Sequence, residues 1–92
     1  MSTPEIAGFV VDDENEDKCW AHGVRIEHVI EVLEAPYRLL RNRKERRAPF
    51  LVIGRDRQGR CLAVPIEPTY DPELWRPVTA WRCKPSEASR CP

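Results

Sequence analysis

The chain contains two histidines, and His22, in the segment WAHGV (20–24), is the better candidate for proton transfer. Imidazole exchanges a proton near neutral pH, because its unperturbed pKa is about 6.5. His22 stands at the predicted end of a helix, where the negative end of the helix dipole favours a protonated ring and hence a general acid. The alternative is that His22 only caps the helix by binding a carbonyl of its last turn. His28 falls on the flank of the next predicted helix, at the boundary between core and solvent.

Arginines of the C-terminal half can supply the cations of a phosphate site. Arg60 and Arg76 fall in separate predicted strands and would converge if both strands share one face of a sheet. Arg55, Arg57 and the run RNRKERR (41–47) add positive charge nearby. Because guanidinium groups bind phosphate through forked donors, we expect this half to bind a polyanion. The alternative for any single arginine is a solvated surface group.

The cysteines predict neither a disulfide scaffold nor a metal site. None of the four forms a CxxC pair, and we expect reduced thiols at Cys19, Cys61, Cys83 and Cys91. Cys19 and His22 have the spacing of half a zinc site, but no second pair supplies the remaining ligands. Cys19 also lies in an acidic segment that does not favour a thiolate nucleophile. We therefore expect no metal and no other cofactor.

The elements that must position these residues begin with two helices. The β-prone run GFVV (8–11) stops at Asp12, which predicts a capped helix over about 13–21. Gly23 then ends that helix in the left-handed conformation. Apolar residues recur on one face at positions 26, 29, 30 and 33, which predicts a second helix that ends at Pro36.

The period changes to that of strands after the second helix. Residues 37–42, PFLVIG (49–54) and CLAVPI (61–66) predict three strands, and Gly59 predicts a hairpin turn between the last two. Pro65 cannot donate to a strand ladder, so it predicts an edge or a bulge. WRPVTAWRC (75–83) predicts the final strand.

This order, β-α-α-β-β-β-β, predicts an α+β fold with two helices packed on a four-stranded antiparallel sheet. A chain of 92 residues suits one domain, 1–92, with a core over roughly 8–84 and frayed ends. Trp75 and Trp81 are six residues apart, so an unbroken final strand would direct both to one face. Stacking on a nucleobase is one role for that pair, and packing in the core is the other.

Charge is unevenly distributed, although the formal net charge is zero. Residues 1–36 carry nine acids and two bases, net −7, whereas residues 37–92 carry thirteen bases and six acids, net +7. One acidic face and one basic face that binds phosphate would explain this division, and simple solubility is the alternative. No stretch approaches the roughly 20 apolar residues of a membrane helix, and no signal peptide is visible. We therefore expect a cytoplasmic protein without membrane contact.

Several motifs occur together in an order that resembles the BrnT family, small toxins of bacterial toxin–antitoxin systems with a RelE-like fold. They are DDENEDK, HGV, the helix IEHVIEVL, the hairpin turn Gly59-Arg60 and the strand RPVTAW, and the resemblance as a whole covers roughly residues 9–87. The resemblance implies a ribonuclease that cleaves RNA without a metal. It also implies a cognate antitoxin as partner. We expect either a toxin–antitoxin complex or a homo-oligomer as the assembly.

The resemblance also implies roles for particular residues. Matched by position are Lys18, His22, Arg60, Arg76, Thr79 and Glu87. We expect His22 to transfer a proton, Arg60 and Arg76 to bind phosphate, and Lys18 to do either. The residues expected to contact RNA beside them are Arg55, Arg57, Trp81 and Arg82.

The chain departs from the family pattern at three places. Trp81 stands where the family has an arginine, and Arg82 beside it would face the opposite side of a strand. Val11 replaces the tryptophan of the opening motif, and the basic C-terminal helix is reduced to SEASRCP. The competing prediction is therefore a non-catalytic RNA- or protein-binding module of the same fold.

Overall fold

A computed structural model describes residues 5–42 and 47–92 of the chain. These residues form six strands, β1 to β6, which are Gly8–Phe9, Arg38–Arg41, Phe50–Arg55, Cys61–Pro68, Leu74–Pro77 and Trp81–Arg82. They also form three α-helices, α1 to α3, which are Asp13–Ala21, Ile26–Glu31 and Pro85–Ala88, and a 3-10 helix, Val32–Glu34, that continues α2. The α+β class is confirmed. Residues 43–46 of the predicted basic run lie outside the described residues.

The sheet is mixed and has six strands in the described chain, so the prediction of four antiparallel strands is wrong. Five strands lie in the order β1-β5-β4-β3-β2, and β6 pairs with β4 beside β5. Every pair is antiparallel except β1 with β5, which run parallel, with Phe9 opposite Trp75. The first two residues of the run GFVV thus form an additional strand, which pairs along the edge of β5.

The predicted single strand over 75–83 is divided into β5 and β6. Both pair with β4, but Pro77 lies opposite Ile66 and Trp81 lies opposite Ala63. Between these pairs β4 carries Pro65, whose carbonyl accepts a hydrogen bond from the Val78 backbone at 2.8 Å. Proline has no N–H to donate on that side. The neighbouring strand is therefore interrupted beside Pro65, and Trp75 and Trp81 do not belong to one unbroken strand.

Helix α1 begins and ends at the predicted residues. The Asp12 carboxylate accepts from the Asn15 backbone at 2.9 Å, and the Asn15 side chain accepts from the Asp12 backbone at 3.0 Å. The buried Asn15 side chain also donates to the Val10 carbonyl at 2.9 Å, which attaches the helix to the segment after β1. At the other end Gly23 has a φ of 75°, the left-handed turn predicted for it.

Helix α2 buries a different face from the predicted one. Ile26, Val29 and Val32 are buried, whereas Ile30 is 43% exposed. Successive steps of three residues replace the expected steps of three and four, because the helix tightens into its 3-10 turn at Val32. The turn packs directly on β3: a Cβ atom on Gly54 would lie 2.7 Å from Val32 Cγ1. This close approach places the 3-10 helix over the end of β3, next to the β3–β4 turn.

Two cysteines are joined, contrary to the expectation of four reduced thiols. Cys61 at the start of β4 and Cys83 after β6 form a disulfide, with their Cα atoms 5.4 Å apart. The hairpin and the final strand bring them together, and neither residue's sequence context signals this pairing. Cys19 and Cys91 are free, and Cys19 is buried.

Candidate functional site

A surface pocket of about 300 Å³ lies where the end of α1, helix α2, the β3–β4 turn and strand β6 meet. We call it the histidine–arginine pocket. Its lining consists of Trp20, His22, Gly23, Val24, Arg25, His28, Asp56, Arg60, Leu62 and Arg82. Three of the sequence-predicted residues are therefore brought together, namely His22, Arg60 and Arg82. Three arginines and a single aspartate among the lining residues make the pocket suitable for an anion.

Arg60 is fixed by the hairpin turn that carries it. The Asp56 carboxylate accepts from the backbone of Gln58 at 2.9 Å and of Arg60 at 3.0 Å. Its second oxygen accepts from Arg60 Nε at 2.8 Å. Gly59 completes the turn with a φ of 81°. Burial alone would raise the pKa of the Asp56 carboxyl, but the hydrogen bonds from Arg60 hold that pKa below its ordinary value.

His22 is held by the last turn of α1 and by the segment before β6. Its Nδ1 lies 3.2 Å from the Lys18 carbonyl oxygen and 3.1 Å from Thr79 Oγ1. Thr79 Oγ1 itself donates to the same Lys18 oxygen at 3.2 Å. The cap that the sequence allowed is therefore formed, and the ring nevertheless lines the pocket. The ring of Trp81 meets the imidazole edge-on, with the centroids 6.1 Å apart.

His28 is the residue that the sequence pattern placed at a boundary without a role. Its Nδ1 lies 3.2 Å from Glu31 Oε1 and 4.0 Å from Asp56 Oδ2, and its side chain is 23% exposed. Glu31 Oε1 also accepts from the Arg57 backbone at 3.1 Å. Hydrogen bonds from Arg57 and from His28 hold the pKa of Glu31 below its ordinary value. The spacing of His28 and Glu31, three residues apart on one helix, is the signal from which this pair can be predicted.

The group of His28, Glu31 and Asp56 brings its ligand atoms within 4.8 Å of one another. Such a group can hold a metal ion only if those atoms are available. Both Asp56 oxygens already accept hydrogen bonds from the hairpin turn, and Arg60 adds a positive charge 2.8 Å away. The group is therefore better suited to orient His28 than to bind a cation. Cys19 is likewise unsuited to metal or nucleophile chemistry, because burial raises the pKa of its thiol to about 11.

Arg76 lies outside the pocket, in an ion-pair cluster between α1, β4 and β5. It donates to Asp12 at 2.6 and 2.9 Å and to Glu14 at 3.0 Å, and it lies 3.5 Å from Glu67. The Arg76 guanidinium lowers the pKa of Asp12 to about 2. Arg60 precedes β4 at one end and Glu67 stands near its other end, so the two arginines are separated by roughly 23 Å of strand.

The other predicted residues also have protein partners. Arg57 donates two hydrogen bonds of 2.7 Å to Glu34, and Arg55 donates to the carbonyls of Gly59 and Pro92. Lys18 Nζ lies 3.9 Å from Glu14. None of these side chains lines the histidine–arginine pocket.

Trp81 and Glu87 meet beside the pocket. The indole Nε1 of Trp81 donates to Glu87 Oε1 at 3.0 Å, and Lys84 Nζ lies 5.8 Å from the centre of the indole ring. The exposed aromatic ring at the pocket is instead Trp20, which is 61% exposed and has the Arg25 guanidinium 5.6 Å from its centroid. Trp20 and Arg25 therefore offer the stacking surface that the sequence assigned to Trp81.

No protein-family model, no curated protein and no solved structure matches the chain. The BrnT resemblance therefore stays a prediction from the sequence motifs. No helix within residues 5–42 and 47–92 is long and apolar enough to cross a membrane. A functional assignment thus depends on the chemistry that the side chains of the histidine–arginine pocket can carry out.

Proposed function

We propose that the protein is a metal-independent ribonuclease, BrnT-like and RelE-like in fold, with its active site in the histidine–arginine pocket. The observation that carries the proposal is that His22, Arg60 and Arg82 line one pocket although they come from three separate elements. The imidazole can transfer a proton and the two guanidinium groups can bind the phosphate, which are two of the functions that phosphodiester cleavage uses. The pocket volume, about 300 Å³, is at the lower end for small-ligand sites and suits a phosphate with its ribose.

RNA cleavage without a metal uses the 2′-hydroxyl as nucleophile. A base removes its proton, cations stabilise the crowded phosphate, and an acid protonates the 5′-oxygen that leaves. Arg60 and Arg82 bind the phosphate, and His22 transfers a proton. Arg82 thus binds the phosphate in place of the arginine that the BrnT family has at the position of Trp81. Because Trp20 is exposed at the rim, a neighbouring base stacks on its ring.

The partner in this proposal is a cognate antitoxin that covers the pocket. Three arginines line the pocket with one aspartate, so an acidic segment is the complementary surface. A segment of this kind would compete with RNA for the same guanidinium groups. RNA and antitoxin are therefore expected to bind in mutually exclusive ways.

Cleavage is tested with purified protein and a single-stranded RNA of mixed sequence in the presence of EDTA. The wild type is expected to yield products with 2′,3′-cyclic phosphate and 5′-hydroxyl ends. The triple variant His22→Ala, Arg60→Ala, Arg82→Ala is expected to yield none, although it remains folded. Arg57→Ala is the matched control, since Arg57 belongs to the same turn but binds Glu34 rather than lining the pocket. Intact RNA with folded wild-type protein would refute the nuclease proposal.

Binding is measured separately with a 2′-O-methyl RNA, which offers no nucleophile. Two or three phosphate contacts from Arg25, Arg60 and Arg82 predict a slope of about −1.4 to −2.1 for log affinity against log salt. A much steeper slope would mean that the RNA phosphates also contact basic residues of the C-terminal half outside the pocket. Arg82→Ala should reduce the slope by about 0.7.

The second candidate function is RNA binding without cleavage. It is favoured by Trp81, which occupies the position of the family's arginine and packs against His22. It is also favoured by Arg60, whose Nε is already committed to Asp56. Salt-dependent binding to 2′-O-methyl RNA together with intact unmodified RNA would select this function over the nuclease.

A further inference from the structure

We propose that His28 is the general base of this site, that His22 is its general acid, and that Glu31 is a positioning residue for His28. This inference rests on the proposed nuclease function and adds the second proton-transfer group that such a reaction needs. Both histidines line the same pocket, with Arg60 and Arg82. The two imidazoles thus accompany the two guanidinium groups that bind the phosphate.

The hydrogen bonds of His28 determine which ring nitrogen can act as a base. An ionised carboxylate only accepts hydrogen bonds, so the contact of 3.2 Å with Glu31 Oε1 requires a proton on His28 Nδ1. In the neutral ring the lone pair then belongs to Nε2. No hydrogen bond engages that nitrogen among the described residues, so it remains available to a substrate hydroxyl.

The hydrogen bonds of His22 impose the same tautomer. The Lys18 carbonyl oxygen only accepts, so the 3.2 Å contact likewise requires a proton on His22 Nδ1. Thr79 gives its hydroxyl proton to that carbonyl and accepts from the imidazole. The protonated ring therefore has one N–H held by the protein and one, on Nε2, that it can donate to a leaving group.

The charged groups around His28 support its assignment as the base. Glu31 and Asp56 are the acids that face it, at 3.2 and 4.0 Å. The cationic side chains that share its pocket are Arg25, Arg60 and Arg82, and His22 is the other titratable ring. A carboxylate hydrogen-bonded to Nδ1 orients the ring and stabilises the positive charge that the base acquires. His22 has a carbonyl and a hydroxyl at the equivalent position and lacks such a partner.

The reaction step balances with these two histidines alone. His28 Nε2 takes the proton of the ribose 2′-hydroxyl while the 2′-oxygen forms a bond to phosphorus. The bond from phosphorus to the 5′-oxygen breaks, and the 5′-oxygen receives the Nε2 proton of His22. The products are a 2′,3′-cyclic phosphate and a 5′-hydroxyl, and the enzyme is left with His28 protonated and His22 neutral. Exchange of protons with water restores both rings.

Two substrates separate the roles of the histidines. One is a ribodinucleoside monophosphate, and the other is a nucleoside 3′-(4-nitrophenyl phosphate), whose leaving group departs without protonation. We expect His28→Ala to lower kcat/KM by about 10²–10⁴-fold on both substrates, because both need the 2′-hydroxyl to lose its proton. We expect His22→Ala to lose a similar factor on the dinucleotide but to stay within about tenfold of wild type on the activated ester.

Variants that keep the local hydrogen bonds distinguish a loss of catalysis from a loss of folding. His28→Gln retains a donor toward Glu31 and should be as inactive as His28→Ala. Glu31→Gln should retain binding of 2′-O-methyl RNA but change the acid side of the pH profile of kcat/KM, where the base gains its proton. Glu27→Gln, an exposed residue of the same helix, is the control and should leave the profile unchanged.

The outcomes distinguish this inference from the proposal on which it rests. If wild type cleaves both substrates and His28→Gln stays within twofold of it, His28 is not the base, while the nuclease proposal stands. If the activated ester restores His28→Ala but not His22→Ala, the two roles are reversed and the assignment is wrong. If wild type cleaves neither substrate, the nuclease proposal fails and the assignment of His28 fails with it.

Discussion

Asp56→Asn is expected to weaken the fold while it strengthens the binding of RNA. The Asp56 side chain is wholly buried and accepts three hydrogen bonds, two from backbone groups and one from Arg60. An asparagine has the same shape but no charge, and its amide NH₂ group would face one of the N–H groups that donate to Asp56. Charge-assisted hydrogen bonds of this kind contribute about 1.5–3 kcal/mol. For a domain of this size that corresponds to a fall in Tm of about 6–24 °C.

The effect on RNA has the opposite sign, because the carboxylate lies beside the guanidinium that is to bind phosphate. A negative charge about 6 Å from a phosphate costs about 1 kcal/mol at an effective dielectric constant of about 55, which lies between the values for a protein surface and for water. The Kd for 2′-O-methyl RNA should therefore fall about fivefold in the variant. Thermal unfolding by circular dichroism and fluorescence anisotropy measure the two quantities on the same preparation. Asp71→Asn, the same change in an exposed turn, is the control and should shift stability by less than about 0.5 kcal/mol.

The pH dependence supplies an internal check. The folded-state pKa of Asp56 is depressed, so its stabilising contribution is present above the unfolded-state pKa, about 4, and is lost as the pH falls through the lower folded-state value. The difference in stability between wild type and Asp56→Asn should therefore be constant near neutral pH and shrink below about pH 4. Equal Tm values at pH 7, or weaker RNA binding by the variant, would refute this account of the turn.

Three further changes test the fold around the pocket. Gly54→Ala should cost about 1–3 kcal/mol by overpacking, and a double-mutant cycle with Val32→Ala in denaturant unfolding should show partial relief. Arg76→Met should lower the Tm but leave the Kd for RNA within twofold, since that arginine lies in the ion-pair cluster outside the pocket; a large loss of affinity would contradict its placement. Reduction by dithiothreitol should lower the Tm through loss of the Cys61–Cys83 link, worth about 3 kcal/mol for a loop of its length, and Cys61→Ser should be insensitive to the reagent.

Local features of the fold could be predicted from the sequence because their causes lie within a few residues. The cap at Asp12, the stop at Gly23 and the hairpin turn at Gly59 each depend on one side chain or on one backbone conformation. The parallel pairing of β1 with β5 and the division of the final strand depend on contacts between distant segments. Pro65 gave a local sign of that division, although its effect falls on the neighbouring strand.

Part of the candidate site could be predicted, because some residues have a side-chain chemistry that by itself suggests a role. His22 and Arg60 are identifiable from residue type and position in the predicted elements. Arg76 has the same residue type as Arg60, but its acidic partners are distant in sequence, and Asp12 is 64 residues away. A role for His28 follows from two contacts. The contact with Glu31 can be predicted from their spacing on the helix, whereas the approach of Asp56, on the β3–β4 hairpin, is seen only in the structure.

The uneven distribution of charge along the sequence predicts one acidic face and one basic face. In the folded chain, acids and bases from the two parts instead form ion pairs with each other. Acids of the N-terminal third bind bases of the C-terminal part directly, in the pairs Asp12 with Arg76, Glu14 with Arg47 and Glu34 with Arg57. These pairs hold the helices to the sheet and cancel much of the positive charge beside them. Among the described residues that line the histidine–arginine pocket, Asp56 is the only acid beside its arginines. Three guanidinium groups thus share the pocket with two imidazoles and one carboxylate, a set of side chains suited to binding phosphate.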